Sequence, residues 1–163
     1  MHAVLSSPTR INLQGQIDAI VQAIAEDSMS NPLSATQWET LSAYLQPHTL
    51  AAGQVLFQRG ASDRTLYLVE SGNVSAHYED EKGRLRMAMI GAGSVVGEGS
   101  FFSRNPRTAT VQAAVPSRLW ALTAMRFTEL SNRQPAIALA LVMAVAGVQA
   151  KRLGNRRRRV AST

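Results

Sequence analysis

An α+β domain, with a β-rich centre held between helical ends, is predicted by three features of the 163-residue chain. Apolar residues recur at helical spacing near both termini, whereas eight of the eleven glycines crowd into the 47 residues from Gly53 to Gly99 and separate short β-prone runs. The length suits one core, because a second would need roughly another hundred residues. Many short strands at such intervals suggest a barrel or sandwich.

The first helix is read from Leu13, Ile17, Ile20, Val21 and Ile24, which follow the i, i+3, i+4, i+7 pattern of an amphipathic stripe. Ser30-Asn31-Pro32 ends it. Ser34, with Gln37 three residues on, is a capping-box signature that opens a second helix through Trp38, Leu41 and Leu45, which Pro47 closes. Strands are expected at Gln54 to Phe57, Thr65 to Glu70, Asn73 to Tyr78, Leu85 to Ile90, Thr108 to Ala114 and Arg118 to Leu122, with a turn at Asp80-Glu81-Lys82-Gly83. Thr123 is placed to cap a helix over Met125 to Asn132. Pro135 suits the first turn of a last helix reaching about Arg152 or beyond. Its stripe is Ile137, Leu141, Val145 and Val148, and Ala136, Ala140, Ala144 and Gly147 form a smaller face that permits close approach of another backbone. That helix packs either on its own core or against a second copy. Trp38, Trp120, Phe101 and Phe102 are read as core.

Charge is unevenly placed. Residues 1–150 carry eleven basic and eleven acidic side chains, so the net +6 comes entirely from Lys151, Arg152 and the four arginines at 156–159. The body is neutral and the basic character belongs to a tail. With no cysteine, there is no disulfide, thiolate metal site or cysteine nucleophile. The N-terminus lacks the cationic start and apolar core of a secretory signal, which predicts a cytoplasmic location. The longest apolar run, Ala136 to Val148, has thirteen residues against the roughly twenty that span a bilayer.

Enzymatic patterns are missing from the sequence. His2, His48 and His77 are far apart and none has a ligand partner at helical spacing, so no metal is expected. There is no G-x-S-x-G, Walker A, HRD or DFG signature, and the chain is read as a non-enzyme. The informative stretch is Val95 to Val111, VVGEGSFFSRNPRTATV, in which Arg107 follows Glu98 by nine residues. Glycines let backbone N–H groups crowd around a phosphate, and a short helix begun by Glu98-Gly99-Ser100 directs its positive end to the same place. The planar fork of Arg107 suits a phosphate, and Glu98 can accept hydrogen bonds from a sugar hydroxyl. Phosphate and ribose together imply a nucleotide.

Three blocks in order resemble the cyclic nucleotide-binding domain of the catabolite activator proteins, protein kinase A regulatory subunits and cyclic-nucleotide-gated channels. They are Gly53-Gln54-Val55-Leu56-Phe57-Gln58-Arg59-Gly60, Leu66-Tyr67-Leu68-Val69-Glu70-Ser71-Gly72-Asn73-Val74, and Gly97-Glu98 through Pro106-Arg107-Thr108-Ala109-Thr110-Val111, within a match covering about Leu33 to Arg152. The resemblance implies an antiparallel, jelly-roll-like β-roll flanked by N-terminal helices and a C-terminal hinge and lid pair. It implies cAMP or cGMP as ligand, with no metal. Glu98 would hold the ribose 2′-hydroxyl, Arg107 the phosphate, and Gly97, Glu98, Gly99 and Ser100 the cassette turn. Thr108 can contact guanine in such domains without settling the base, and Arg152 or Leu153 falls near the residue that covers the purine.

Gly99 departs from the pattern, standing where a larger aliphatic residue is usual. The expected organisation is an N-terminal helical segment at 1–32, the nucleotide-binding domain at 33–153 and a disordered basic tail at 154–163. The expected function is a cyclic nucleotide receptor that signals to a separate protein partner through its lid helix. The competing class is a ligand-free interaction or scaffold domain that keeps the fold. A homodimer, and DNA or anionic membrane contact through the arginine tail, stay open.

Overall fold

The computed structural model describes residues 12–23 and 27–161, with side chains through Asn155. Expectations for residues 1–11, for Ile24 and for the side chains at 156–159 lie outside the described residues.

Two helices, α1 (Gln14–Gln22) and α2 (Ala35–Ser42), precede eight strands: β1 (Gln46–Leu50), β2 (Val55–Phe57), β3 (Leu66–Ser71), β4 (Asn73–Glu79), β5 (Leu85–Gly91), β6 (Val95–Val96), β7 (Thr110–Ala113) and β8 (Ser117–Leu122). Helix α3 (Glu98–Ser103) interrupts the strands, and α4 (Ala124–Arg133) and α5 (Pro135–Ala161) follow them. The strands form two four-stranded sheets, ordered β1-β8-β3-β6 and β2-β7-β4-β5, with every pairing antiparallel. The predicted β-roll with flanking helices is what forms.

Strand alternation explains why one sheet is buried on both faces. Tyr67 and Val69 of β3, with Leu119 and Ala121 of β8, point into the roll against Val74, Ile90, Val111 and Ala113. Their neighbours Leu66, Leu68, Trp120 and Leu122 point the other way, onto Trp38, Leu41, Leu130, Leu141 and Val145 of the helices. The α5 stripe Ile137, Leu141, Val145 and Val148 is consumed by this second core, each residue being no more than 4% exposed. The helix is also long and apolar enough by composition to cross a membrane, with a mean hydropathy of 1.6 over an 18-residue window within Pro135–Asn155. Its apolar stripe is nonetheless spent on the core.

The local signals fall where the sequence places them. Ser34 and Gln37 form the reciprocal capping box, Thr123 caps α4 through the Arg126 N–H, and α5 begins at Pro135. Two readings need correction. Pro47 does not close a helix; it sits in β1, an edge strand whose free side needs no N–H donor. Phe102 is not core but 40% exposed, because the turn of α3 that buries Phe101 directs its neighbour outward. A Cβ at Gly147 would meet open space, so the small-residue face is left uncovered there. The last helix runs beyond Arg152, as far as Ala161.

Candidate functional site

The stretch from Val95 to Val111 folds as a cassette on the rim of the roll. Val95 and Val96 pair with Leu68 and Tyr67, which fixes the entry point. Gly97 then turns with φ +85°, and a Cβ there would lie 2.7 Å from both Arg107 Nη1 and the Thr65 carbonyl oxygen. Glycine is required by conformation and by space. Glu98 opens α3, where a carboxylate suits the helix start. The first helical bond runs from the Phe101 N–H to the Gly97 oxygen, so the N–H groups of Glu98, Gly99 and Ser100 have no partner within α3. Gly99 faces open space, Ser100 is 5% exposed, and Thr108 is exposed beyond the arginine.

Arg107 is anchored from all sides. Its backbone N–H donates to the Ala61 oxygen at 2.8 Å, and its own oxygen accepts from Gly60 at 2.7 Å. In the side chain, Nη1 donates to the Gly97 oxygen at 2.8 Å, while Nη2 donates to Asp63 at 2.8 Å and to the Thr65 oxygen at 2.7 Å. The guanidinium carbon lies 3.9 Å from the centre of the Phe57 ring, and the side chain is 2% exposed. Its Nε is buried and has no protein partner. Asp63 also accepts from the Thr65 N–H and hydroxyl. Burial pushes the Asp63 carboxyl up, but the hydrogen bonds from Arg107 and Thr65 outweigh it and hold the group below its usual value. Burial, followed by the Asp63 charge, pushes the neighbouring Tyr67 phenol above its usual value.

Glu98 and Arg107 do not pair with each other. Glu98 accepts from Arg152 Nη1 at 2.6 Å, and Arg152 also donates through Nε to Asp27 at 3.2 Å and through Nη2 to Ser94 Oγ at 3.0 Å and the Val95 oxygen at 2.7 Å. The last helix is thus fastened to the cassette by one guanidinium. Arg152 stands at Glu98, with its guanidinium spent on four protein acceptors. Sequence reasoning missed Asp63, Asp27 and Ser94. Asp63 leaves a faint signal, an Asp two residues before Thr65 in an Asx turn; Asp27 and Ser94 leave none.

The profile of the cyclic nucleotide-binding domain matches residues 47–134, more than half of the chain and including the entire cassette. The chain belongs to the cyclic nucleotide-binding domain family. It is 34% identical over 94 residues to a cyclic nucleotide-gated potassium channel of Rhizobium etli, a stretch that is 58% of this chain and 25% of the channel. The solved catabolite activator protein of Thermus thermophilus aligns with a TM-score of 0.66 at 27% identity, over 80% of this chain and 62% of that one. A cyclic nucleotide-binding domain from Methylobacillus flagellatus, at 18% identity, shares the fold with a TM-score of 0.78 over 92% of this chain and 85% of its own. The chain spans between 24% and 30% of the length of the first curated relatives it matches. No group of three or more metal-ligating side chains occurs among the described residues.

Proposed function

We propose that this chain is a cytoplasmic, non-enzymatic receptor for cAMP or cGMP that signals to a separate protein through its last helix. The observation that carries the reading is the cassette itself. It has a glycine-enforced turn, an acid at the start of α3, three backbone N–H groups unused by that helix, and a buried arginine with an unsatisfied Nε–H. In this reading the phosphate accepts from Arg107 and from the backbone at Gly97 to Ser100, and Glu98 accepts the ribose 2′-hydroxyl. Thr108, exposed after the arginine, lies beside the base and leaves its identity open.

Arg152 takes a different role from covering the purine. It competes with the ribose for Glu98, so nucleotide entry releases the latch and lets the end of α5 shift. A ligand moves that balance only by its differential affinity for the two states. Residues Ala136, Leu139, Met143, Ala146, Ala150 and Leu153 remain exposed on α5 at alternating three- and four-residue spacing, which favours a second copy or a partner helix on this face. Sedimentation that finds only monomer at high concentration excludes the second copy. DNA or anionic membrane contact is assigned to the arginines at 156–159, and removal of residues 155–163 without loss of such binding refutes it.

The competing reading, a fold kept for protein interaction without ligand, draws on the same ion pairs, because both Glu98 and Arg107 already have protein partners. A thermal-shift titration with cAMP, cGMP and linear AMP separates the two. At one hundred times its dissociation constant a cyclic nucleotide adds about 2.7 kcal/mol of stability. No shift with either cyclic nucleotide leaves the interaction domain as the answer.

A further inference from the structure

A cleft of about 580 Å³ opens between α3, α4 and α5, and neither Glu98 nor Arg107 lines it. Its wall is aromatic: Phe101 packs edge-on against Phe102 at 5.5 Å and Phe127 at 4.9 Å between ring centres. At its mouth Met125 is 75% and Phe102 40% exposed. Arg64 and Arg104 line the same cleft, and no carboxylate does.

Arg59, Arg84, Arg86, Arg107, Arg118, Arg126 and Arg152 each have an acidic partner, whereas Arg64, Arg104 and Arg133 have none among the described residues, and of these three only Arg64 and Arg104 line the cleft. Arg64 donates one hydrogen bond, to the Phe101 oxygen at 3.3 Å, and its Nε is buried without an acceptor. A buried, unanswered guanidinium N–H is costly, and an incoming anion supplies the missing acceptor. Arg104 is the one non-glycine residue with positive φ among the described residues, at +63°, in the position after α3 where glycine is the unstrained choice. The favourable placing of a cation beside the α3 carbonyls accounts for the charge there, but the same charge is also delivered to the rim of an apolar cleft.

From this juxtaposition we infer that the cleft binds a small amphipathic carboxylate, its head between Arg64 and Arg104 and its apolar body against Phe101, Phe102 and Phe127. Two unpaired cations on an acid-free, aromatic cleft complement an anion with an apolar body, and the volume is that of an ordinary small-molecule site. The inference does not depend on nucleotide binding at the cassette.

Decanoate is the probe, followed by backbone amide shifts in the full chain, with decanol and decyltrimethylammonium as neutral and cationic controls carrying the same tail. Decanoate is expected to shift amides at Arg64, at 101–104 and along α4, and to bind at least tenfold more tightly than either control. The Arg64→Met, Arg104→Gly double variant is expected to lose at least tenfold in decanoate affinity. Arg104→Gly alone relieves the positive-φ strain, so it is expected to raise the melting temperature while weakening decanoate several-fold, which keeps the test decisive if Arg64→Met does not fold. Equal binding of all three probes, shifts confined to the exposed α5 face, or unchanged decanoate affinity in Arg104→Gly would overturn the inference.

Discussion

The two ends of the cassette are held in physically different ways. Arg107 is 2% exposed and its partners Gly97, Thr65 and Asp63 all belong to the roll. Glu98 is tied instead to Arg152, which comes from the last helix, 54 residues on, and both side chains are more open at 12% and 18% exposed. Breaking the first set disturbs the body of the domain. Breaking the second needs only the end of one helix to move. On the proposed reading, the difference makes Arg107 the preorganised, phosphate end and Glu98 the ribose end that switches.

The comparison is broken most severely at its fixed end. Arg107→Ala strands the ligand phosphate and leaves Asp63 without its cation, so calorimetry is expected to show a loss of about 2 to 5 kcal/mol in cyclic nucleotide binding. Lysine rescues poorly, because it lacks the fork that reaches Gly97, Asp63 and Thr65 together. Wild-type affinity in the alanine variant would remove the site from this cassette.

Arg152→Ala acts in the opposite direction. It frees Glu98 for the ribose, so affinity is expected to rise by about three- to tenfold, the scale of relieving one competing ion pair. Unchanged or weaker binding by the same titration contradicts competition for Glu98.

A smaller effect sharpens the fixed end through pH. The Asp63 carboxyl lies below its ordinary 3.8 in the folded chain, so the unfolded chain takes up its proton first as the pH falls. Its contribution to stability is complete above the unfolded value and is lost as pH drops below 3.8 through the folded value. Acid unfolding of Asp63→Asn is expected to lose this part of its pH dependence; an identical acid profile would show that the Arg107 pair adds no stability. The effect is modest because the Asp63 side chain is 43% exposed.

What the sequence made legible was local. The Ser34 capping box, the Thr123 cap, Pro135 and the glycine-bounded strands are each encoded within a few residues, and so is the Glu98-to-Arg107 spacing. Strand β1 was not, since Pro47 masks a strand whose edge position only the assembled sheet reveals. The partners that set each end's behaviour come from far along the chain. Asp63 precedes Arg107 by 44 residues and Asp27 precedes Arg152 by 125, separations no periodicity or motif reports. Arg152 is legible as a candidate, but its partners Glu98 and Ser94 reach it only through the fold.

Hydrogen exchange with and without saturating cyclic nucleotide tests the contrast between the two ends most directly. The account predicts slower exchange across Gly97 to Thr110 together with an altered rate from Gly147 to Leu153, because occupation of Glu98 must displace Arg152. Protection of the cassette with unchanged exchange from Gly147 to Leu153 would contradict it and make the domain a static binder.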